Sequence, residues 1–165
     1  MTPRRWQPVA RFGLLGAVVG LAALAAPLAA QPARQSEVDH TLAAWTVMWN
    51  RYDLDQVDRL FVTDSSLTYF SSERDGLLQG MEALRAHHTG FGFVPGGKDQ
   101  PNQLLLESVV THWQGATAVV LATWIFRRAD GSAQKGPVTF VLVPRSDGYR
   151  IAHAHFANAP PAPPR

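Results

Sequence analysis

The chain has 165 residues, of which 46% are hydrophobic, and this length suits one domain with a single core. It carries 15 Lys and Arg against 13 Asp and Glu, and the sequence contains no cysteine. The lack of thiols excludes disulfides, thiolate catalysis and thiolate metal sites, so core packing must supply the stability.

The first thirty residues differ in composition from the rest. Three arginines precede residue 12, and residues 12–26 form an uncharged run rich in Leu, Val and Ala. Such a run matches the core of a secretory signal better than a membrane span, which needs about 20 apolar residues. We therefore expect a signal peptide over residues 1–30, cleavage near Ala30 and a periplasmic or secreted product. The alternative is an uncleaved N-terminal anchor, which would be the only membrane contact.

Cleavage would also change the charge of the protein. It would remove three arginines and no acid, leaving 12 basic against 13 acidic residues and a net charge of −1. A mature domain without a basic excess argues against a nucleic-acid partner.

Two helices are predicted at the start of the mature chain. Residues 31–36 resemble a linker, and Ser36 is expected to be the N-cap of the first helix. Apolar residues then recur at the 4-3-4-3 spacing of one helical stripe: Val38, Leu42, Trp45, Trp49 and Tyr52. Asp53 is expected to cap a short second helix that ends near Phe61.

The remaining elements complete an α+β pattern. A strand is predicted over 66–72, a third helix over 80–90 and a glycine-rich loop over 90–97. Four antiparallel strands should follow, at 104–113, 116–127, 137–144 and 149–156, with turns at Gln114-Gly115 and Asp147-Gly148. Residues 159–165 form a Pro/Ala-rich tail. Segregated helices and strands favour α+β over a βαβ repeat.

Three stretches in this order resemble the nuclear transport factor 2-like superfamily. They are the aromatic-then-acid run 49–55, the glycine-initiated helix at 80–85 and the last strand at 149–156. The details look like its SnoaL-like branch and the branch related to the association domain of calcium/calmodulin-dependent protein kinase II. The resemblance covers residues 37–158 and implies a cone-shaped curved antiparallel sheet, wrapped around three N-terminal helices with one central pocket. The superfamily includes enzymes and non-catalytic domains, so function stays open.

The last predicted strand carries two candidate catalytic residues, His153 and His155. Strand alternation places both imidazoles on one face, about 7 Å apart, and a turn at Asp147-Gly148 would set Phe140 opposite His155. The pair could do acid/base work or contact a ligand. It could also be hydrogen-bonded inside the cone. Metal binding would need a third ligand that the sequence does not place, so we predict no metal and no cofactor.

Other candidates are spread along the chain. His88 lies in the centre of the third helix's apolar face, with His87 about 100° away around the axis, and is either an acid/base residue or a buried, satisfied histidine. Glu107 interrupts an apolar run and is either a pocket acid or an edge or interface charge. The resemblance places Trp49 and Tyr69 in the cavity wall, so we predict that they bind ligand together with Glu107 and Phe140.

Two functions remain possible from the sequence. The first is an exported pocket domain that binds a small, largely apolar molecule, with isomerase, dehydratase or hydrolase-like activity as a possible addition. The second is a non-catalytic dimerisation or assembly domain. Both faces of the hairpin over 104–126 are apolar, whereas a sheet with one wet face would alternate. We therefore expect a homodimer through the sheet.

Overall fold

A computed structural model describes residues 30–160. Its elements are α1 (Ala30–Arg51), a 3-10 turn (Leu54–Gln56), α2 (Val57–Leu60), β1 (Thr68–Phe70), β2 (Leu77–Gln79), α3 (Gly80–Gly90), β3 (Gln103–Gln114), β4 (Thr117–Arg127), β5 (Ala133–Arg145) and β6 (Gly148–Phe156). This arrangement confirms the predicted α+β class. The three-residue strand β2 was not predicted. The predicted signal peptide, except for Ala30, and residues 161–165 of the tail lie outside the described residues.

The strands form one curved, unclosed sheet in the order β2-β1-β6-β5-β4-β3. All neighbouring pairs are antiparallel except β1 and β6. The helix α1 packs against β3 and β6. We call the face toward α1 the inner face. It carries the buried rings of Tyr69, Phe140 and Phe156, and the fully buried Trp45 of α1 packs onto the last two.

The helix α1 is longer than predicted. It begins at Ala30, so residues 31–36 are helical and Ser36 lies inside the helix, not at its N-cap. Pro32 is compatible with this helix, because a backbone N–H in the first turn has no hydrogen-bond partner within the helix and its absence costs nothing. The predicted cap at Asp53 is confirmed, since its carboxylate accepts a hydrogen bond from the Asp55 backbone N–H at 3.0 Å. No helix within residues 30–160 is both long and apolar enough to cross a membrane.

A β-bulge changes the face that Glu107 occupies. The β3–β4 turn falls at Gly115-Ala116, one residue later than predicted. Ser108 adopts φ 54° and interrupts the ladder, so Glu107 pairs with Thr123 while Val110 pairs with Leu121. A bulge inserts one extra residue and reverses the alternation beyond it. Glu107 and Leu121 are therefore both on the outer face of the sheet.

A second irregularity lies in β6. Leu142 pairs with Ile151, but Val141 pairs with His153, so Ala152 is an extra residue in the strand. The residues of β6 that point inward are therefore odd-numbered before Ala152 and even-numbered after it. Ile151 before the bulge is buried, and so are Ala154 and Phe156 after it.

The chain continues along β5 after the last strand. The backbone N–H of Ala157 donates to Pro137 O at 3.1 Å, and that of Ala159 donates to Lys135 O at 2.8 Å. Gly136 allows this approach, because a Cβ at that position would come within 1.9 Å of Ala157 O. The segment 157–159 is thus held against the rim of the sheet.

Candidate functional site

A cavity of about 240 Å³ lies between α1, α3 and the inner face of the sheet. It is lined by Trp45, Trp49, Tyr52, Tyr69, Ser71, Ser72, Glu73, His87, Phe91, Leu104, Trp124, Phe126, Arg128, Gln134 and Phe156. Aromatic rings dominate the wall, and the polar residues come from the segment after β1, from α3 and from the ends of β4 and β5. Apolar walls with few polar groups are typical of small-molecule pockets.

The indoles that α1 contributes are incompletely hydrogen-bonded. Trp45 and Trp49 lie one helical turn apart on the same face of α1. Neither indole Nε1 has a hydrogen-bond partner among residues 30–160, although both atoms are buried. Leaving a buried donor unsatisfied costs about 1–3 kcal/mol. By contrast, Nε1 of Trp124 donates to Ala157 O at 3.0 Å.

His87 is the histidine that lines the cavity. Its half-buried ring lies 5.5 Å from the ring of Tyr69 and 4.9 Å from that of Phe91, measured between centroids. Burial lowers the pKa of His87, the charge of Arg74 lowers it further, and Glu73 opposes the shift. The imidazole is therefore neutral at pH 7, as a general base requires. Nε2 of His87 has no partner in the described part of the chain.

His88, the predicted acid/base residue, lies in the core instead of the cavity wall. It is fully buried, and its ring packs against Trp49, Tyr69 and Phe93. Nδ1 lies 3.0 Å from Leu84 O, and because a carbonyl only accepts, Nδ1 carries the proton. Burial lowers the pKa of His88 to about 4. The helical spacing placed His88 at the centre of the apolar face of α3, and the structure places the neighbouring His87 in the cavity wall instead.

The prediction that His153 and His155 point into the pocket is wrong. The extra residue Ala152 moves both imidazoles to the outer face. His153 Nδ1 is hydrogen-bonded to Thr68 Oγ1 at 2.8 Å, and the exposed ring of His155 lies 5.0 Å from that of Phe70. Burial, and secondarily the charge of His155, lowers the pKa of His153.

The other predicted ligand-binding residues divide into two pairs. Trp49 and Tyr69 line the cavity, and burial raises the pKa of the Tyr69 hydroxyl. Glu107 does not line it, because the bulge at Ser108 turns this carboxylate outward, where it is exposed. Phe140 faces inward but is not in the cavity wall, since its ring is fully buried against Trp45 at 5.0 Å.

Hydrogen bonds around Gln134 define the mouth of the cavity. Its Nε2 donates to Glu73 Oε1 at 2.6 Å and to Asn158 Oδ1 at 2.7 Å, while its Oε1 accepts from Arg128 at 2.7 Å. Asn158 Nδ2 donates to Ser72 O at 3.0 Å. This network joins β5 to the segments that follow β1, β4 and β6. Sequence reasoning missed it, because no local motif shows that these distant segments meet.

The described residues do not form a metal site from the common protein ligands. Within residues 30–160, no group of three or more His, Cys, Asp or Glu side chains is placed to hold a metal ion.

Comparison with known proteins relates the chain to others through its fold. No protein-family model and no curated protein matches the sequence. A nuclear transport factor 2-like superfamily protein from Salmonella enterica matches with a TM-score of 0.63 at 20% identity, over 80% of this chain and 94% of its own. A Streptomyces avermitilis protein of the same family, proposed to be a dehydratase, matches with a TM-score of 0.67 at 16% identity, over 80% and 99%.

A third similar structure comes from Novosphingobium aromaticivorans and has been proposed to be an aromatic ring hydroxylase. It matches with a TM-score of 0.61 at 14% identity, over 79% of this chain and 92% of its own. The chain therefore has the nuclear transport factor 2-like fold, as its sequence resemblance predicted. Identities this low establish the fold and leave the function to the site.

Proposed function

We propose that this is an exported domain that binds a small, largely apolar molecule in the cavity beneath α1 and moves a proton on it. The observation that carries the proposal is the aromatic cavity of about 240 Å³, whose polar groups are confined to a few positions. A cavity of roughly 150 Å³ accepts benzene. A single substituted ring is therefore a suitable size for the occupant.

His87 is the group proposed to move the proton. It lines the cavity, is neutral at pH 7 and stands beside Tyr69, whose hydroxyl stays protonated because burial raises its pKa. A neutral imidazole can accept a proton, and a protonated phenol can donate a hydrogen bond to an oxygen that gains charge. This combination suits proton abstraction next to a carbonyl, the first step of an isomerase or dehydratase-like reaction.

Acetophenone tests binding and chemistry together, because it is a neutral ring with exchangeable protons next to a carbonyl. We expect calorimetry to detect its binding to the mature domain, and NMR in D₂O to detect faster exchange of its methyl protons. His87→Gln should keep binding and lower the exchange rate about 10²-fold or more, the usual contribution of a general base.

Two serine variants control this experiment. Ser71 lines the cavity, so Ser71→Trp should fill the cavity and abolish binding, whereas Ser65→Trp changes an exposed residue outside the cavity wall and should bind normally. If Ser71→Trp binds as well as the unchanged domain, the probe occupies another place. Unchanged exchange in His87→Gln would contradict the role of His87.

A second candidate is a non-catalytic dimerisation or assembly domain. The observation that favours it is an exposed apolar patch on the outer face of the sheet, where Val110 is 50% exposed and Leu121 43%. The two functions are compatible, because the patch and the cavity lie on opposite faces. An assembly domain alone would leave the inner cavity without a use.

A further inference from the structure

The chemical class of the cavity's occupant can be inferred from the polar groups that the protein leaves unpaired. The indole N–H groups of Trp45 and Trp49 are donors only, and neither has a partner among the described residues. Both belong to residues of the cavity wall. Both nitrogen atoms are nevertheless buried and Trp45 is fully buried, so neither donor is open to a ligand in the cavity, and the groups at the cavity mouth must define the ligand class.

The two charged residues at the cavity mouth, Glu73 and Arg128, differ in how far their hydrogen-bonding groups are already used. Glu73 accepts hydrogen bonds from Gln134 Nε2 at 2.6 Å and from Ser72 Oγ at 3.2 Å. Arg128 stands over the ring of Phe126 at 5.5 Å and contacts the amide oxygen of Gln134. None of the ion pairs within residues 30–160 includes Arg128. Its guanidinium therefore keeps donors available for an anion, and a planar fork of donors suits a carboxylate.

We propose that the cavity binds a small ring compound that carries a carboxylate. The ring occupies the aromatic wall, and the carboxylate is oriented by Arg128 at the mouth. A monocyclic aromatic carboxylate is the simplest member of this class. The inference rests on the proposed binding function and specifies its ligand.

A cationic ligand is the main alternative, because aromatic walls also bind ammonium groups through cation–π contacts. The neighbouring groups oppose it here. Arg128 lines the mouth, and the charge of Arg74 acts electrostatically on His87 in the cavity wall. The single carboxylate of the wall, Glu73, is already bound by two donors.

Calorimetric titration with four single-ring probes tests the class: benzoate, acetophenone, benzylammonium and toluene. We expect benzoate to bind about tenfold more tightly than acetophenone, and benzylammonium to bind more weakly than either. Arg128→Gln should remove the advantage of benzoate, whereas Arg127→Gln, the exposed neighbour on the outer face, should keep it. A tenfold change corresponds to one charge-assisted contact at the mouth.

Tighter binding of benzylammonium than of benzoate, or a benzoate advantage that survives Arg128→Gln, would overturn the ligand class. If no probe binds, toluene included, the proposed binding function itself fails.

Discussion

Two adjacent histidines of α3 have different surroundings, and this difference determines what each can do. His87 is half-buried in the cavity wall, while His88 is fully buried and packed among aromatic rings. Desolvation disfavours a charged imidazole and lowers the pKa of both. Because His87 lines the cavity, its lowered pKa can serve chemistry, whereas the lowered pKa of the buried His88 affects the stability of the fold.

We predict that His88 makes the domain sensitive to acid. The unfolded chain takes up this proton near pH 6.5, but the folded protein holds His88 neutral down to about pH 4. The stability is therefore complete above pH 6.5, falls as the pH drops, and is lower by about 3 kcal/mol near pH 4. Urea unfolding at pH 7 and pH 4.5 measures the difference.

His88→Gln should be less stable at pH 7, because it disturbs the packing, and should lose less stability between pH 7 and pH 4.5. His40→Gln changes an exposed histidine and should keep the full pH dependence. Identical pH profiles for His88→Gln and the unchanged domain would show that other groups cause the acid sensitivity.

At the scale of elements, the segment 157–159 links the cavity mouth to strand β5. Its backbone bonds to β5, and Asn158 holds Gln134 and Ser72. This path is possible because Gly136 has no side chain. The conformation of the mouth therefore depends on a residue outside the cavity wall.

We predict that Gly136→Ala displaces this segment. The added methyl group would meet Ala157 O at 1.9 Å and Ala159 N at 2.8 Å, so backbone must move. Overpacking of this kind costs about 1–3 kcal/mol. Hydrogen exchange should then show loss of protection at the Ala157 and Ala159 amides.

Gly90→Ala is the control for this variant. A Cβ at Gly90 meets nothing within 4 Å, so this change should be neutral or slightly stabilising. Retained protection of both amides in Gly136→Ala would mean that β5 adapts without releasing the segment.

At the scale of the whole molecule, most of the fold could be predicted from periodicity. The stripe from Val38 to Tyr52 indicated α1, and the turn residues of the later strands indicated a meander. Of the site, the resemblance placed Trp49 and Tyr69 correctly in the cavity wall, but the histidines could not be predicted, because the bulge at Ala152 adds one residue and turns His153 and His155 outward. A one-residue shift exchanges the two faces of a strand, and the hydrophobic pattern of the sequence does not reveal it.

The mouth of the cavity is a second feature that could not be predicted from the sequence. Glu73, Arg128 and Gln134 come from segments far apart in the chain, and their hydrogen bonds exist only after the sheet has curved. Each of these residues alone resembles an ordinary exposed turn or strand end. Spacing rules describe single elements and cannot predict that residues far apart in the chain become neighbours in the fold.

The outer face of the sheet leads to a prediction about assembly. Val110 and Leu121 pair across β3 and β4 and leave an apolar surface about half exposed. Exposed apolar clusters on one face indicate an interaction site. We propose that a second copy of the chain covers this surface, because an apolar face can pack on its own equivalent about a twofold axis.

Leu121→Glu tests this assembly by placing a charge in the proposed interface. An unpaired charge is costly to bury, so we expect a dimer for the unchanged domain and a monomer for the variant in light scattering coupled to size exclusion. Leu77→Glu is the matched control, because Leu77 is 49% exposed but lies on β2 at the opposite edge of the sheet. It should remain a dimer. If the unchanged domain is monomeric at high concentration, or Leu121→Glu still dimerises, this surface is not the interface.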